Sequence, residues 1–261
     1  MVLSKHILPL VPSMYRVLGV IPARLESTRL PGKPLRAICG RPMIAWVYEN
    51  ARQAACLEHL LVATDSPEVE SYCREQGIPA MMTSREHRSG TDRMAEVMAH
   101  EPAAIYVNIQ GDEPMITPDH LERLLRPFDE APATQVSTLK VAIDAQTALD
   151  RNVVKVVTDL TGRALYFSRA RIPFDRDGNG KAQYFKHQGF YAFGAAALEK
   201  FHHLPPSPLE KLEKLEQLRF LENGIDIMVV ETTRDTIGVD TEEDLRRVEE
   251  YFHRVHSQAE R

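Results

Sequence analysis

The chain has 261 residues, 43% hydrophobic and 26% charged, with 32 basic against 37 acidic residues. That composition excludes a disordered polymer and a nucleic-acid protein working through a broadly basic surface. The longest apolar run, 43–48, is too short to span a membrane, and three cysteines without a CxxC spacing exclude a disulfide framework and a zinc ribbon and fit a reducing compartment.

Residues 1–15 carry Pro9 and Pro12 and no small-residue cleavage site, so they read as an N-terminal extension before a domain over 16–258. RVLGVIPAR (16–24) has the pattern of a buried strand. Residues 42–56 follow helical spacing with Pro42 at the first helical position. HLLVATD (59–65) is a second buried strand. Ser66–Gln76 is a helix closed by Gly77. A short strand near 79–83, a helix over 91–100 and the strand 104–112 follow. This alternation predicts a mostly parallel sheet covered on both faces. Four strands without long helices between them, at 135–143, 153–158, 163–168 and 187–193, predict an inserted antiparallel lobe at about 135–205. DRDGNGKA (175–182) is a polar glycine-rich loop. Residues 206–224 read as one helix closed by Asn223–Gly224. In that helix Leu209, Leu212, Leu215 and Leu218 form the apolar side, and Glu213, Glu216 and Gln217 a neighbouring polar side. IDIMVVE (225–231) is a strand. A last helix starts at Thr241 with a capping-box pattern and an apolar stripe of Leu245, Val248, Phe252 and Val255.

The common nucleotide motifs are missing. Gly32-Lys33 is followed by Pro34 and lacks a preceding glycine at P-loop spacing, while Gly178 and Gly180 are followed by Gln183 where a dinucleotide fingerprint needs glycine. No nucleophile elbow occurs. Instead IPARLESTRLPGKPL (21–35) places Arg24, Arg29 and Lys33 in one loop after the first strand. At the ligand edge of an open α/β sheet, three cations beside a glycine suit a polyphosphate. A second cluster, QGDE at 110–113, ends a strand with Asp112. GVDT at 238–241 supplies Asp240 before a capped helix. Each aspartate could be an ordinary turn or capping residue, and each is also placed for a hard divalent cation.

IPAR-x-x-STRLPGKPL, VATD (62–65), SGTDR (89–93), VNIQGDEPMI (107–116) and VVKVVTD (153–159) occur in this order. They are followed by ALYFSRA-x-IP (164–173), PSPLE-x-x-E-x-LEQLR (206–219) and GVDT-x-EDL (238–245). The set resembles the 3-deoxy-manno-octulosonate (Kdo) cytidylyltransferases over Arg16 to about Val248. The resemblance implies a Rossmann-like nucleotidyltransferase fold and the reaction CTP + Kdo → CMP-Kdo + pyrophosphate, in the cytoplasm, for lipopolysaccharide biosynthesis. It implies Mg²⁺ on Asp112 and Asp240, with Arg24 and Lys33 as catalytic cations. It also implies nucleotide contacts from Arg24, Arg29, Lys33, Arg88, Ser89, Gly90, Thr91, Gln110 and Asp112. Sugar contacts are implied for Gln110, Arg169, His187, Tyr191, Glu216 and Gln217. A homodimer through the antiparallel region is implied as well, with neither nucleic acid nor membrane insertion. Relatives often carry Leu-Gly-Ile after the histidine, where this chain has Gln188-Gly189-Phe190; strand alternation turns Gln188 away from His187. Competing readings are a cytidylyltransferase for sialic acid or 8-amino-Kdo, and a non-catalytic nucleotide-binding relative.

Overall fold

The computed structural model describes residues 15–25, 29–87 and 89–259; the expected extension, apart from Tyr15, lies outside them. β1 (Tyr15–Ala23) leads into a glycine turn and a small hairpin of β2 (Ala37–Ile38) and β3 (Arg41–Pro42). α1 (Met43–Ala51), β4 (His59–Thr64), α2 (Pro67–Glu75), β5 (Ala80–Met82), α3 (Gly90–His100) and β6 (Ala103–Asn108) complete the first half. Then come α4 (Pro118–Glu130), β7 (Val136–Ile143), β8 (Lys155–Thr158), β9 (Ala164–Ser168) and β10 (Tyr184–Gly194). α5 (Ala195–His202), α6 (Pro208–Glu213), α7 (Leu218–Glu222), β11 (Ile227–Thr232) and α8 (Glu242–Ala259) close the chain.

Among the described residues nine strands form one sheet in the order β11-β7-β10-β6-β1-β4-β5, with β8 and β9 branching from β10. β1 lies between β4 and β6 and is parallel to both. Val17, Leu18, Val20 and Ile21 are all buried, which is why β1 is an unbroken apolar run. One face is covered by α1, α2 and α4 through Ile44, Val47, Val69, Leu121 and Leu124. The other is covered by α3, α5 and α7 through Met94, Val97, Leu198, Phe201 and Phe220. The chain moves from β1 outward to β4 and β5, then returns to β6 on the opposite side of β1. The crevice at the carboxyl ends of β1 and β6 is therefore the switch point where ligands bind in such sheets.

The expected antiparallel strands are present. β7 and β10 belong to the central sheet, with β10 antiparallel to both neighbours, and only β8–β9 leaves it. Four local differences have physical causes. The first helix starts after Pro42 and stops at Ala51. The third long strand stops at Asn108, because the next residues turn to carry Asp112. A helix over 118–130 was not read from the sequence, although Thr117 before Pro118 and apolar residues at 121, 124 and 125 signal it. Finally, 206–224 is not one helix. Lys214 takes a left-handed conformation (φ 55°), which ends α6 and lets Leu215 turn into the core while Leu212 stays 79% exposed. Val255 is 40% exposed, so the core side of α8 is Leu245, Val248 and Phe252.

Those three side chains pack with Leu30, Ile38, Met43 and Val239 in a small separate cluster. Its effect is positional. It clamps the 29–43 segment, which carries Lys33, to the 239–252 segment, which begins beside Asp240.

Candidate active site

Lys33 follows Gly32, whose φ of 66° makes the tight turn that starts a short 3-10 turn at Lys33–Leu35. Its ammonium lies 2.8 Å from Asp112 Oδ2 and 2.8 Å from Asp240 Oδ1. Arg29 reaches the other oxygen of Asp240 at 3.0 Å. Two carboxylates 128 positions apart in sequence thus share one cation, and the Val239 N–H donating to the Asp112 carbonyl at 2.8 Å joins their loops. Burial works against the charge of Lys33; Asp112 and Asp240 outweigh it and hold the ammonium above its ordinary value. Gly111 is obligatory here, because a Cβ would sit 2.6 Å from the Pro22 carbonyl oxygen. The close approach sets Asp112 against the end of β1.

Arg24, at the same strand end, has Nη2 buried without a hydrogen-bond partner among the described residues. Burial first, then Arg93, lowers its pKa. A buried guanidinium edge with nothing to bind suits an anionic ligand. Arg24, Arg29, Lys33, Gln110, Asp112 and Asp240 line a cavity of about 340 Å³. The two facing carboxylates form an all-oxygen donor set of the kind Mg²⁺ uses with phosphate and water. Among the described residues no third histidine, cysteine or acidic side chain joins them. Glu113, the next residue, was not singled out from the sequence. Its carboxyl lies under Gly238, where a Cβ would be 3.1 Å from Oε1, and burial with Asp112 pushes it up to about 7.

A second cavity of about 320 Å³ lies beside the first, and Gln110 lines both. The Gln110 amide is fixed by donating to the Gly189 carbonyl at 3.0 Å. A bulge in β10 between Gln188 and Tyr191 supplies that carbonyl. His187 and Tyr191 share the cavity wall with ring centroids 5.4 Å apart, as alternation predicts. Gln188 turns away and donates to the Arg234 carbonyl at 2.9 Å. Glu216 and Gln217 enter the cavity because the chain breaks at Lys214, which helical periodicity does not anticipate. Glu216 accepts from the Thr91 hydroxyl at 2.6 Å, and burial raises its pKa.

Not every expected contact gathers here. Gly90 and Thr91, expected beside the nucleotide, line the second cavity. Ser89 caps α3 by accepting from the Asp92 N–H at 3.1 Å. Arg88 lies outside the described residues. Arg169 lines neither cavity. Its guanidinium donates to the carbonyls of Glu213 (2.8 Å), Arg151 (3.2 Å) and Lys214 (3.5 Å), so it braces the break after α6. Glu213 joins that brace and accepts from Ser168 Oγ at 2.6 Å and the Arg169 N–H at 3.0 Å. Asn108, absent from the sequence reading, lines the second cavity.

His187 gives a pH signature. Burial pushes its imidazole down to about 3, with Lys186 adding to the effect. The folded state keeps the ring neutral where the unfolded chain protonates it near 6.5. Its contribution is therefore complete above pH 6.5 and is lost as pH falls toward 3. Relative to His187→Gln, the native protein is expected to lose about 1.4 kcal/mol per pH unit through that window. Denaturant titrations of both proteins at pH 7.5 and 5 check it; parallel losses contradict it.

The cytidylyltransferase family model matches residues 18–227. The 3-deoxy-manno-octulosonate cytidylyltransferase of Acidobacterium capsulatum is 57% identical over 91% of this chain and 97% of its own length. That of Koribacter versatilis is 54% identical over 90% and 89%. A solved structure of CMP:2-keto-3-deoxy-manno-octonic acid synthetase complexed with CTP superposes with a TM-score of 0.89 at 46% identity. It covers 92% of this chain and 99% of that one. A cytidylyltransferase from Leptospira borgpetersenii, 16% identical with a TM-score of 0.60, shares the fold.

Proposed function

The chain belongs to the cytidylyltransferase family, among the 3-deoxy-manno-octulosonate cytidylyltransferases, and from that premise we infer that it transfers CMP from CTP to Kdo with release of pyrophosphate. The observation that carries this reading is the pair of adjoining cavities divided by Gln110. One is lined by Arg24, Arg29, Lys33, Asp112 and Asp240, the other by His187, Tyr191, Glu216 and Gln217.

In this reading the triphosphate occupies the first cavity. Arg24 and Lys33 face the departing pyrophosphate, where preorganised charge lowers the barrier most. Asp112 and Asp240 would hold Mg²⁺, which supplies neutralisation of phosphate charge and acidification of the attacking hydroxyl. Kdo occupies the second cavity. Glu216, Gln217 and His187 orient its hydroxyls, and Gln110 fixes the reacting end at the shared wall. Among the described residues the second cavity is lined by neither arginine nor lysine. In this reading the sugar carboxylate points across Gln110 toward the cations of the first cavity. A homodimer through the β8–β9 region is supported by the exposed side chains of Leu160, Leu165 and Phe174. Among the described residues no helix is long and apolar enough to cross a membrane. The use of CTP as substrate supports a reaction in the cytoplasm.

A pyrophosphate-release matrix tests the reading. CTP and UTP are crossed with Kdo, 8-amino-Kdo and sialic acid, with and without Mg²⁺. The expected result is Mg²⁺-dependent turnover, fastest for CTP with Kdo. Faster turnover with another sugar acid or with UTP contradicts it, as does silence across the matrix.

A further inference from the structure

Asn108 ends β6 at a position where its strand neighbours Tyr106 and Val107 are buried. Strands disfavour asparagine, and at 3% exposure its amide must find partners. Oδ1 is nevertheless buried without a hydrogen-bond partner among the described residues. Directly across the β6–β10 ladder stands Tyr191, 9% exposed. Its hydroxyl is also buried and lacks a hydrogen-bond partner of proper geometry. Cross-strand neighbours present their side chains on one face with Cβ atoms about 5 Å apart. Both side chains line the second cavity. Gly90 keeps the facing wall open: a Cβ there would already touch the Asn108 amide nitrogen at 3.8 Å.

We propose that Asn108 is a specificity-determining residue for the sugar acid, and that with Tyr191 it takes two adjacent hydroxyls of that substrate. This rests on the reading of the second cavity as the sugar site. The chemistry selects the ligand class. A hydroxyl both donates and accepts, so it satisfies the buried end of the amide in either orientation, and the phenol as well. The unpaired amide oxygen and the phenol, which has only the off-geometry Thr138 hydroxyl beside it, stand on neighbouring strands and match a vicinal diol; an apolar ligand leaves the amide oxygen unpaired. A site with buried polar groups left unpaired rejects the analogue that lacks the hydroxyl far more strongly than an apolar pocket rejects a missing methylene.

Asn108→Leu keeps the approximate volume and removes the polar atoms. A buried amide oxygen without a protein partner contributes no stability, so the melting temperature is expected to hold or rise. The KM for Kdo is expected to rise about 10- to 100-fold, while the KM for CTP stays within about twofold. Monodeoxy analogues of Kdo give the readout that a structural role cannot: for one of them, native protein and variant converge in kcat/KM. Asn108→Ala carries the same measurements if the leucine variant does not fold. The proposal is overturned by an unchanged KM for Kdo, by a shift in the KM for CTP instead, or by an equal penalty with every analogue. Glu216→Gln, measured in parallel, separates the two levels. If it raises the KM for Kdo and Asn108→Leu does not, only the role of Asn108 falls. If neither does, the sugar-site reading falls.

Discussion

Asp112→Asn and Asp240→Asn are each expected to lower CMP-Kdo formation by at least ~10³-fold, on the order of 4 kcal/mol of transition-state stabilisation, with the fold retained. The substitution keeps the size and hydrogen-bonding reach of each side chain and removes one negative charge. Both carboxylates lie part-exposed at the rim of a cavity and not in the core. The backbone link between their loops, Val239 N–H to Asp112 carbonyl, does not involve either side chain. A large loss of rate without loss of cooperativity in unfolding therefore separates a chemical role from a structural one. Pyrophosphate release and thermal unfolding on the same preparations check this. Near-native rates in either variant contradict the metal assignment.

Lys33→Met is expected to cost on the order of 10²-fold or more in kcat, as removal of a preorganised charge donor does. Its second effect has the opposite sign. In the free protein the ammonium sits on both carboxylates, so a divalent cation has to compete with it. Removing the lysine leaves Asp112 and Asp240 facing each other with, among the described residues, Arg29 on one outer oxygen. Divalent cations are then expected to bind more tightly without nucleotide, while turnover falls. Arg29→Met is the control for a general loss of positive charge, since among the described residues Arg29 pairs with Asp240 and not with Asp112. A Lys33→Met protein that loses turnover and binds Mn²⁺ no better than the Arg29→Met protein contradicts the competition.

Much of this site was legible before folding because its residues sit where chemistry and chain geometry coincide. Arg24 directly follows the first apolar strand, Lys33 lies in the same loop and Asp112 stands four residues past β6, and Gly32 and Gly111 mark the close turns that present the last two. Asp240 precedes a helix whose Thr241–Asp244 cap is plain in the sequence, with Asp244 Oδ2 accepting from the Thr241 N–H at 3.0 Å. What periodicity missed depends on long-range partners. Nothing local announces that Lys214 turns left-handed; burial of Leu215 and the grip of Arg169 on the Glu213 and Lys214 carbonyls decide it. That break turns Glu216 and Gln217 into the cavity. The same brace holds the Arg169 guanidinium, which the family resemblance implied as a sugar contact, on backbone carbonyls. In sequence Asn108 is one polar residue ending an apolar strand, with no local signal of a site. Only the register with Tyr191 makes it part of a site.

The most direct measurement is Mn²⁺ binding to the CTP-saturated protein, followed by electron paramagnetic resonance in the native chain, in Asp112→Asn, in Asp240→Asn and in the double variant. If the two side chains grip one ion, each single variant weakens binding strongly and the double variant adds little further, since residues sharing one ligand are not additive. Unchanged affinity in either single variant, or penalties that simply add in the double variant, would contradict a shared ion at these two carboxylates.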